Sequence, residues 1–391
     1  MIKYKLPDNW IKYNPQDIHL NLVEAESAIR AFKAIPYQRS WVEDLQNMEL
    51  KREVAGTSRI EGADFTDREL DEALKETPEK LFTRSQRQAH AAAQTYRWIT
   101  QIPDDRPVDG ELIREIHRHI VTGADDDHCE PGVLRKADQN VNFGQPRHRG
   151  AEGGQECLVS FQGFIDALKR EYLNHPPIIR ALAAHYHLAA MHSFLDGNGR
   201  TARALEALML QRAGLRDTCF ISMSNYYYDE KIDYLKALSE SRSVDHDITP
   251  FLNFALKGIT LQVNRLLGEI RAHVQKALFR NTMYHLFGRL ETPRKRVIAE
   301  RQLKILKLLL ETDKQEIRIL FRNVVNLYQG LKNPLKAFVR DLNGLYILKA
   351  VNIEPNTGII TLRLEWPTEI TESDFLEQLK KLPQAKTGKI F

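Results

Sequence analysis

The chain has 391 residues, of which 28% are charged and 42% hydrophobic, with a formal net charge of +4. That length can bury a full core and predicts more than one domain, and the composition is that of a globular chain rather than a disordered one. The charge is too mild to argue for nucleic acid by itself. Cys129, Cys157 and Cys219 are scattered and odd in number, which argues for a reducing compartment and against a disulfide framework. No run of about 20 apolar residues occurs, and no basic-plus-apolar leader precedes Pro7. The expectation is therefore a cytoplasmic protein with no membrane segment.

In chain order, residues 23–32, 41–54, 67–74 and 86–98 read as helices. Thr66 offers a capping box with Glu69. Residues 102–107 hold two prolines and form a breaker-rich join. Residues 1–105 are expected to be an N-terminal helical region, 106–260 a central core, and 261–391 a linking helix followed by a further domain. The core opens with a helix around residues 112–117. Val141 and Phe143 alternate with polar residues, as in a short edge strand.

Residues 179–191 lack strong helix breakers and predict a largely apolar helix with His192 near its end. Gly197, Asn198 and Gly199 then interrupt regular structure, and two glycines allow positive φ, where successive N–H groups can converge on an anion. Arg200 is expected to begin a second helix that stops near Gly214. A helix N-terminus favours a phosphate. Arg200 and Arg203 lie three apart, hence on one helix face, and guanidinium suits bidentate phosphate contact. Asp196 is a hard oxygen ligand of the kind that holds Mg²⁺ together with substrate phosphates. The unperturbed pKa of a histidine suits a general base at neutral pH, which makes His192 the candidate. A Walker-type loop is absent. A zinc site on His185, His187 and His192 is poorly supported, because His185 and His187 do not share a helix face.

Residues 192–203, His-Ser-Phe-Leu-Asp-Gly-Asn-Gly-Arg-Thr-Ala-Arg, resemble the signature of the Fic family at every fixed position. The resemblance implies a mainly α fold: a Fic-type helical core with a short β-hairpin flap. It also implies transfer of AMP from ATP, with Mg²⁺, to a Ser, Thr or Tyr hydroxyl of a target protein or of the chain itself. His192 would be the catalytic base and Asp196 the metal ligand. Gly197, Asn198, Gly199, Arg200, Thr201, Ala202 and Arg203 would hold the nucleotide, and Phe194 would anchor the loop.

Residues 57–62, Thr-Ser-Arg-Ile-Glu-Gly, resemble the family's inhibitory motif, in which Glu61 would pair with Arg203 and block the γ-phosphate position, with Thr57 and Gly62 completing the motif. Val141, Phe143 and Gly144 would form the flap that aligns the target segment by strand addition. The following run, residues 145–150, is polar and basic where an apolar, Pro-rich run is expected. Tyr234 would pack on adenine, and Ser241 stands where an Asn contact is expected. The implied partners are the target protein and a second copy of the chain.

Residues 249–256 are expected to close the core, and a long amphipathic helix to run over residues 260–286. Beyond it, helices over residues 301–310 and 317–327 and a third from Pro334 precede a hairpin formed by residues 346–348 and 359–362 around a Pro-Asn-Thr-Gly turn. This order resembles a winged helix. Lys332, Lys336 and Arg340 on or near its third helix would be the candidate DNA contacts, a thin basic patch. The alternatives to AMP addition are use of another nucleotide, AMP removal, or a DNA-binding regulator with a nucleotide-sensing core.

Overall fold

The computed structural model describes residues 1–35, 39–144, 146–215, 221–290 and 293–381. It is mainly α and divides into two compact units, residues 1–268 and 269–391. Cys219 and Gln145 lie outside the described residues.

The first unit is built from α1 (Pro15–Ala34), α2 (Arg39–Ile60), α3 (Asp67–Lys75), α4 (Arg84–Ile99), α5 (Gly110–Val121), α6 (Gln155–Lys169), α7 (Pro177–Met191), α8 (Asn198–Leu210), α9 (Met223–Asp229), α10 (Lys231–Ser243) and the first half of α11 (Thr249–Gly288). Side-chain caps define several of these starts. Thr66 and Thr83 make capping boxes with Glu69 and Gln86, which satisfy orphan N–H groups at the ends of α3 and α4.

Helix α7 is the centre of this unit. Pro177 opens it, and every residue from Ile178 to Met191 except Arg180 is buried. A helix apolar on all sides must be enclosed by other helices. Helix α8 packs back along it after a short loop, so the 192–197 connection is held at one end of a largely buried pair.

A small sheet crosses the mouth of this connection. Strands β1 (Ile2–Lys3), β2 (Asn142–Phe143) and β3 (His148–Arg149) lie in the order β1-β3-β2. β2 pairs antiparallel with β3, with Phe143 opposite His148, and β1 pairs parallel with β3. The expected edge strand is thus present, with Val141 just before it and Gly144 in the turn at φ +72°.

The second unit contains α12 (Pro293–Thr312), β4 (Lys314–Glu316), α13 (Ile317–Val324), α14 (Pro334–Ile347), β5 (Val351–Ile353), β6 (Ile359–Leu362), α15 (Trp366–Glu369) and α16 (Glu372–Lys381). Its sheet runs β4-β6-β5, all antiparallel. Leu306, Leu309, Leu320, Phe338, Leu345, Ile360 and Trp366 belong to one apolar core.

Two expectations need correction. Residues 346–348 do not form the first hairpin strand: Tyr346 and Ile347 end α14, and the strand begins at Val351. The buried series Phe338, Leu342, Leu345 keeps a helical period through this stretch. The helices expected over 249–256 and 260–286 are one continuous helix. The helix continues through Gly258, where a Cβ would collide with the Tyr226 ring. That glycine permits close packing of α11 on α9.

Candidate active site

The loop after α7 turns on two left-handed residues. His192 caps the helix at φ 52°, ψ 55°, and Gly197 precedes α8 at φ 74°. Helix α8 begins at Asn198, two residues earlier than Arg200, so Gly199 is helical and only Gly197 needs positive φ. A Cβ at Gly199 would run into the Glu61 carboxylate, so a larger residue there would displace that side chain. Asn198 is 3% exposed. Its side chain accepts from the Phe194 N–H and donates to the Phe194 carbonyl, both at 2.8 Å, so it clips the loop closed. Thr201 donates from N and Oγ1 to the Gly197 carbonyl, and Ala202 is fully buried. These residues shape the loop. The first-turn N–H groups of a helix have no partner within it, which makes the start of α8 suited to an anion.

The imidazole of His192 is oriented by its own helix. Nδ1 lies 2.6 Å from the Ala189 carbonyl, an obligate acceptor, so Nδ1 carries the proton and Nε2 carries the lone pair. The Phe143 ring stacks on the imidazole with centroids 3.6 Å apart and planes 5° from parallel. Burial pushes the His192 pKa down to about 3, and the nearby Arg242 and Arg135 guanidiniums act in the same direction. A neutral imidazole with an available Nε2 is a competent proton acceptor. Arg135 supports the loop from behind, with Nε donating to the His192 carbonyl at 2.7 Å and its N–H to the Ser193 carbonyl at 3.0 Å. Phe194 is fully buried and stacks on His117 at 3.8 Å. The Gly132 N–H donates to His117 Nδ1, which leaves Nε2–H to donate to the Asp196 carbonyl at 3.0 Å.

Both arginines of α8 are answered by carboxylates. Arg200 donates to Asp125 at 2.5 Å, and Asp125 also accepts from Arg84 and Gln88. Arg203 donates to Glu61 Oε1 at 2.6 Å, to Thr57 Oγ1 at 2.9 Å and to the Thr57 carbonyl at 3.2 Å. Thr57 sits in the last turn of α2 and Glu61 immediately follows it, four residues on, so both face the same way. Gly62, at φ 92°, turns the chain away. Burial alone would raise the Glu61 pKa. Arg203 and then Arg200 outweigh it and hold the carboxyl below its ordinary value.

Asp196 is half-buried. Its Oδ1 accepts from the Gly197 N–H and lies 3.4 Å from Arg200, and its Oδ2 lies 3.5 Å from Arg84. It borders a polar cavity with Glu61, Arg84, Gln88 and Arg200. Among the described residues no cluster of three or more His, Cys, Asp or Glu side chains could hold a metal. A single carboxylate fits Mg²⁺ carried on substrate phosphates, not a protein cage.

A second cavity, of about 250 Å³, is bordered by Phe143, His192, Arg203, Leu235, Tyr234 and Arg242. Tyr234 is 2% exposed, its ring stacks on Tyr227 at 4.6 Å and its hydroxyl meets His185 Nε2 at 2.9 Å. It is therefore wall more than platform, while the neighbouring Leu235 is exposed. Ser241 is buried, and its hydroxyl accepts from the Phe251 N–H. Sequence reasoning missed Asp125, Arg84 and Arg242. Each is an ordinary charged residue far from the loop in sequence, and only the fold brings it there.

Residues 107–210 match the Fic/DOC family, so the chain carries a Fic domain at its centre. A protein adenylyltransferase Fic of Culex quinquefasciatus is 34% identical over 141 residues, 36% of this chain and 25% of that protein. The protein adenylyltransferase fic-1 of Caenorhabditis elegans is 28% identical over 160 residues, 41% of this chain and 28% of that protein. The chain thus spans about a quarter of the length of these relatives. Among solved structures, Fic-1 (residues 134–508) of C. elegans has a TM-score of 0.55 at 20% identity, covering 66% of this chain and 74% of that one. A Fic family protein from Desulfovibrio desulfuricans G20 has a TM-score of 0.57 at 18% identity, covering 92% and 98%. At these identities the structural likenesses speak for the fold.

Proposed function

We propose that this chain is a protein adenylyltransferase that moves AMP from ATP to a hydroxyl of a target protein or of itself, and that Glu61 holds it in an inhibited state. The observation that carries the reading is the Arg203–Glu61 pair: a guanidinium at the anion-binding end of α8 is met by a carboxylate where a phosphate would sit. The names of the adenylyltransferase relatives support the reaction type.

In this reading His192 Nε2 takes the proton of the attacking hydroxyl, with its tautomer fixed by Ala189. The α8 N-terminus and Arg200 bind phosphate oxygens, and Arg203 takes the γ-phosphate once Glu61 withdraws. Asp196 would hold Mg²⁺ together with the α- and β-phosphates. The ion would neutralise charge on the leaving pyrophosphate. β2 would receive the target backbone as an added strand.

The second unit has the element order of a winged helix. On α14, Arg340 is bonded to the buried Asp341, while Leu335, Tyr346 and Ile347 are exposed, so we read this domain as a protein contact ahead of a DNA contact. No helix among the described residues is long and apolar enough to cross a membrane.

The test is transfer of label from ATP labelled at the α-phosphate, in the Glu61→Gly background, with and without His192→Ala. Label on protein that disappears with His192→Ala, while ATP still binds, is the expected result. Label only from γ-labelled ATP, or from a different nucleotide, would reassign the transferred group.

A further inference from the structure

The flap differs from the rest of the site in its charge. Arg242, on α10, lies against the Phe143 ring with its guanidinium carbon 4.8 Å from the ring centroid, and Phe143 in turn covers His192. No carboxylate among the described residues pairs with Arg242, and its buried Nε has no hydrogen-bond partner. Burial without a counter-ion lowers its pKa to about 10. A desolvated guanidinium with no anion is costly, which is the condition of a group that awaits one.

Its surroundings add charge of the same sign. Arg147, in the turn between β2 and β3, reaches the carbonyl of edge residue Asn142 at 3.4 Å. Lys3 and Lys5 are exposed beside β3. The nearby carboxylates are engaged elsewhere: Glu152 lies 3.7 Å from Arg149, and Asp245 lies 4.0 Å from Lys12. The phosphate end of the site has its own cations, Arg200 and Arg203, on α8. Arg242 instead lies on the flap side, where an added strand would run along β2. Strand addition supplies backbone bonds that any sequence can make, so selectivity must come from side-chain contacts beside the strand.

We propose that Arg242, assisted by Arg147, receives a carboxylate of the target, so that the chain selects segments with Asp or Glu next to the modified hydroxyl. This rests on the AMP-transfer reading. It names the substrate class of that same site: an acidic, extended protein segment. A half-buried guanidinium meeting a carboxylate gains a charge-assisted hydrogen bond that a neutral or basic segment cannot offer.

The test uses synthetic peptides with one central Ser, Thr or Tyr flanked by Glu, Gln or Lys, assayed with the Glu61→Gly protein. The Glu-flanked peptides should exceed the Gln-flanked ones by roughly tenfold or more in kcat/KM, the size expected of one charged hydrogen bond. Arg242→Ala should remove that preference by raising peptide KM while the KM for ATP stays put. Arg242→Lys should keep part of it, and Arg242→Glu should shift preference towards the Lys-flanked peptides. Equal use of all peptides would overturn the inference, as would a rise in ATP KM alone on Arg242→Ala, which would assign the anion to the nucleotide. Anisotropy of fluorescently labelled peptides, measured in parallel, needs no chemistry. If no peptide is modified but the Glu-flanked ones still bind more tightly through Arg242, the reaction is wrong and the docking site stands. If neither preference appears, the docking site falls.

Discussion

Arg200 and Arg203 sit one turn apart on the same helix, and each is met by a carboxylate, yet the two pairs are built differently. The partner of Arg200 is Asp125, fully buried and shared with Arg84 and Gln88 inside the core that carries the loop. The partner of Arg203 is Glu61, whose side chain is 35% exposed and which follows the last turn of α2, an element from the other end of the unit. The first pair is part of the scaffold. The second lies where solvent and a ligand can compete for it. Arg200 is thus tied in place by a buried partner that it can keep while facing a ligand, whereas Arg203 would have to give up its more exposed partner to meet one.

The largest expected effect breaks the fixed pair. Asp125→Ala strands Arg200 in the core and should cost about 3–5 kcal/mol of stability, read as a lowered denaturation midpoint. A loss no greater than that of a surface substitution would remove the distinction between the two arginines. Titration sharpens the comparison next. Because Glu61 is held below its ordinary pKa, its contribution is present above that value and is lost only as pH falls through the depressed one. Alkaline pH should therefore not release Arg203. With His192 pushed down to about 3, the acid limb of kcat/KM for Glu61→Gly should fall more than one pH unit below the ordinary histidine value of about 6.5. An acid limb near 6.5 would mean that Phe143 leaves His192 during turnover.

The smallest effect concerns the seat of α2. Glu53 is buried and accepts from the Ser224 N–H at 2.8 Å and from the Ser224 hydroxyl, and burial raises its pKa to about 7. A raised carboxyl pKa stabilises the fold below the unfolded value and loses that contribution as pH rises through about 7. Thermal stability should drop as pH rises from about 4.5 to about 7, by at most about 1.4 kcal/mol per unit, and level off above that. Glu53→Gln should flatten that drop, and an unchanged slope would place the titrating group elsewhere.

The 192–203 loop was readable because its polar groups are local: the histidine, the carboxylate, the turn and the arginines follow one another in the chain. The helices were readable from period and, at Thr66, from a cap. What stayed hidden was long-range. Asp125 answers Arg200 across 75 residues, and Arg242 reaches Phe143 only through the fold. Gly199 looked like a turn residue, yet it is helical and lies against the Glu61 carboxylate. Gly258, inside α11, leaves room for the Tyr226 ring. In both cases the glycine answers a neighbour that local sequence does not name. Tyr234 could be chosen by position, but its stacking on Tyr227 and its bond to His185 follow from packing.

The most direct measurement compares AMP transfer from α-labelled ATP by the native chain, Glu61→Gly and Glu61→Gly/Arg203→Ala. If Glu61 acts by occupying Arg203, Glu61→Gly should transfer far faster than the native chain, and the added Arg203→Ala should return the rate to a low level. Equal rates for the native chain and Glu61→Gly, or a double variant as fast as the single one, would contradict the account.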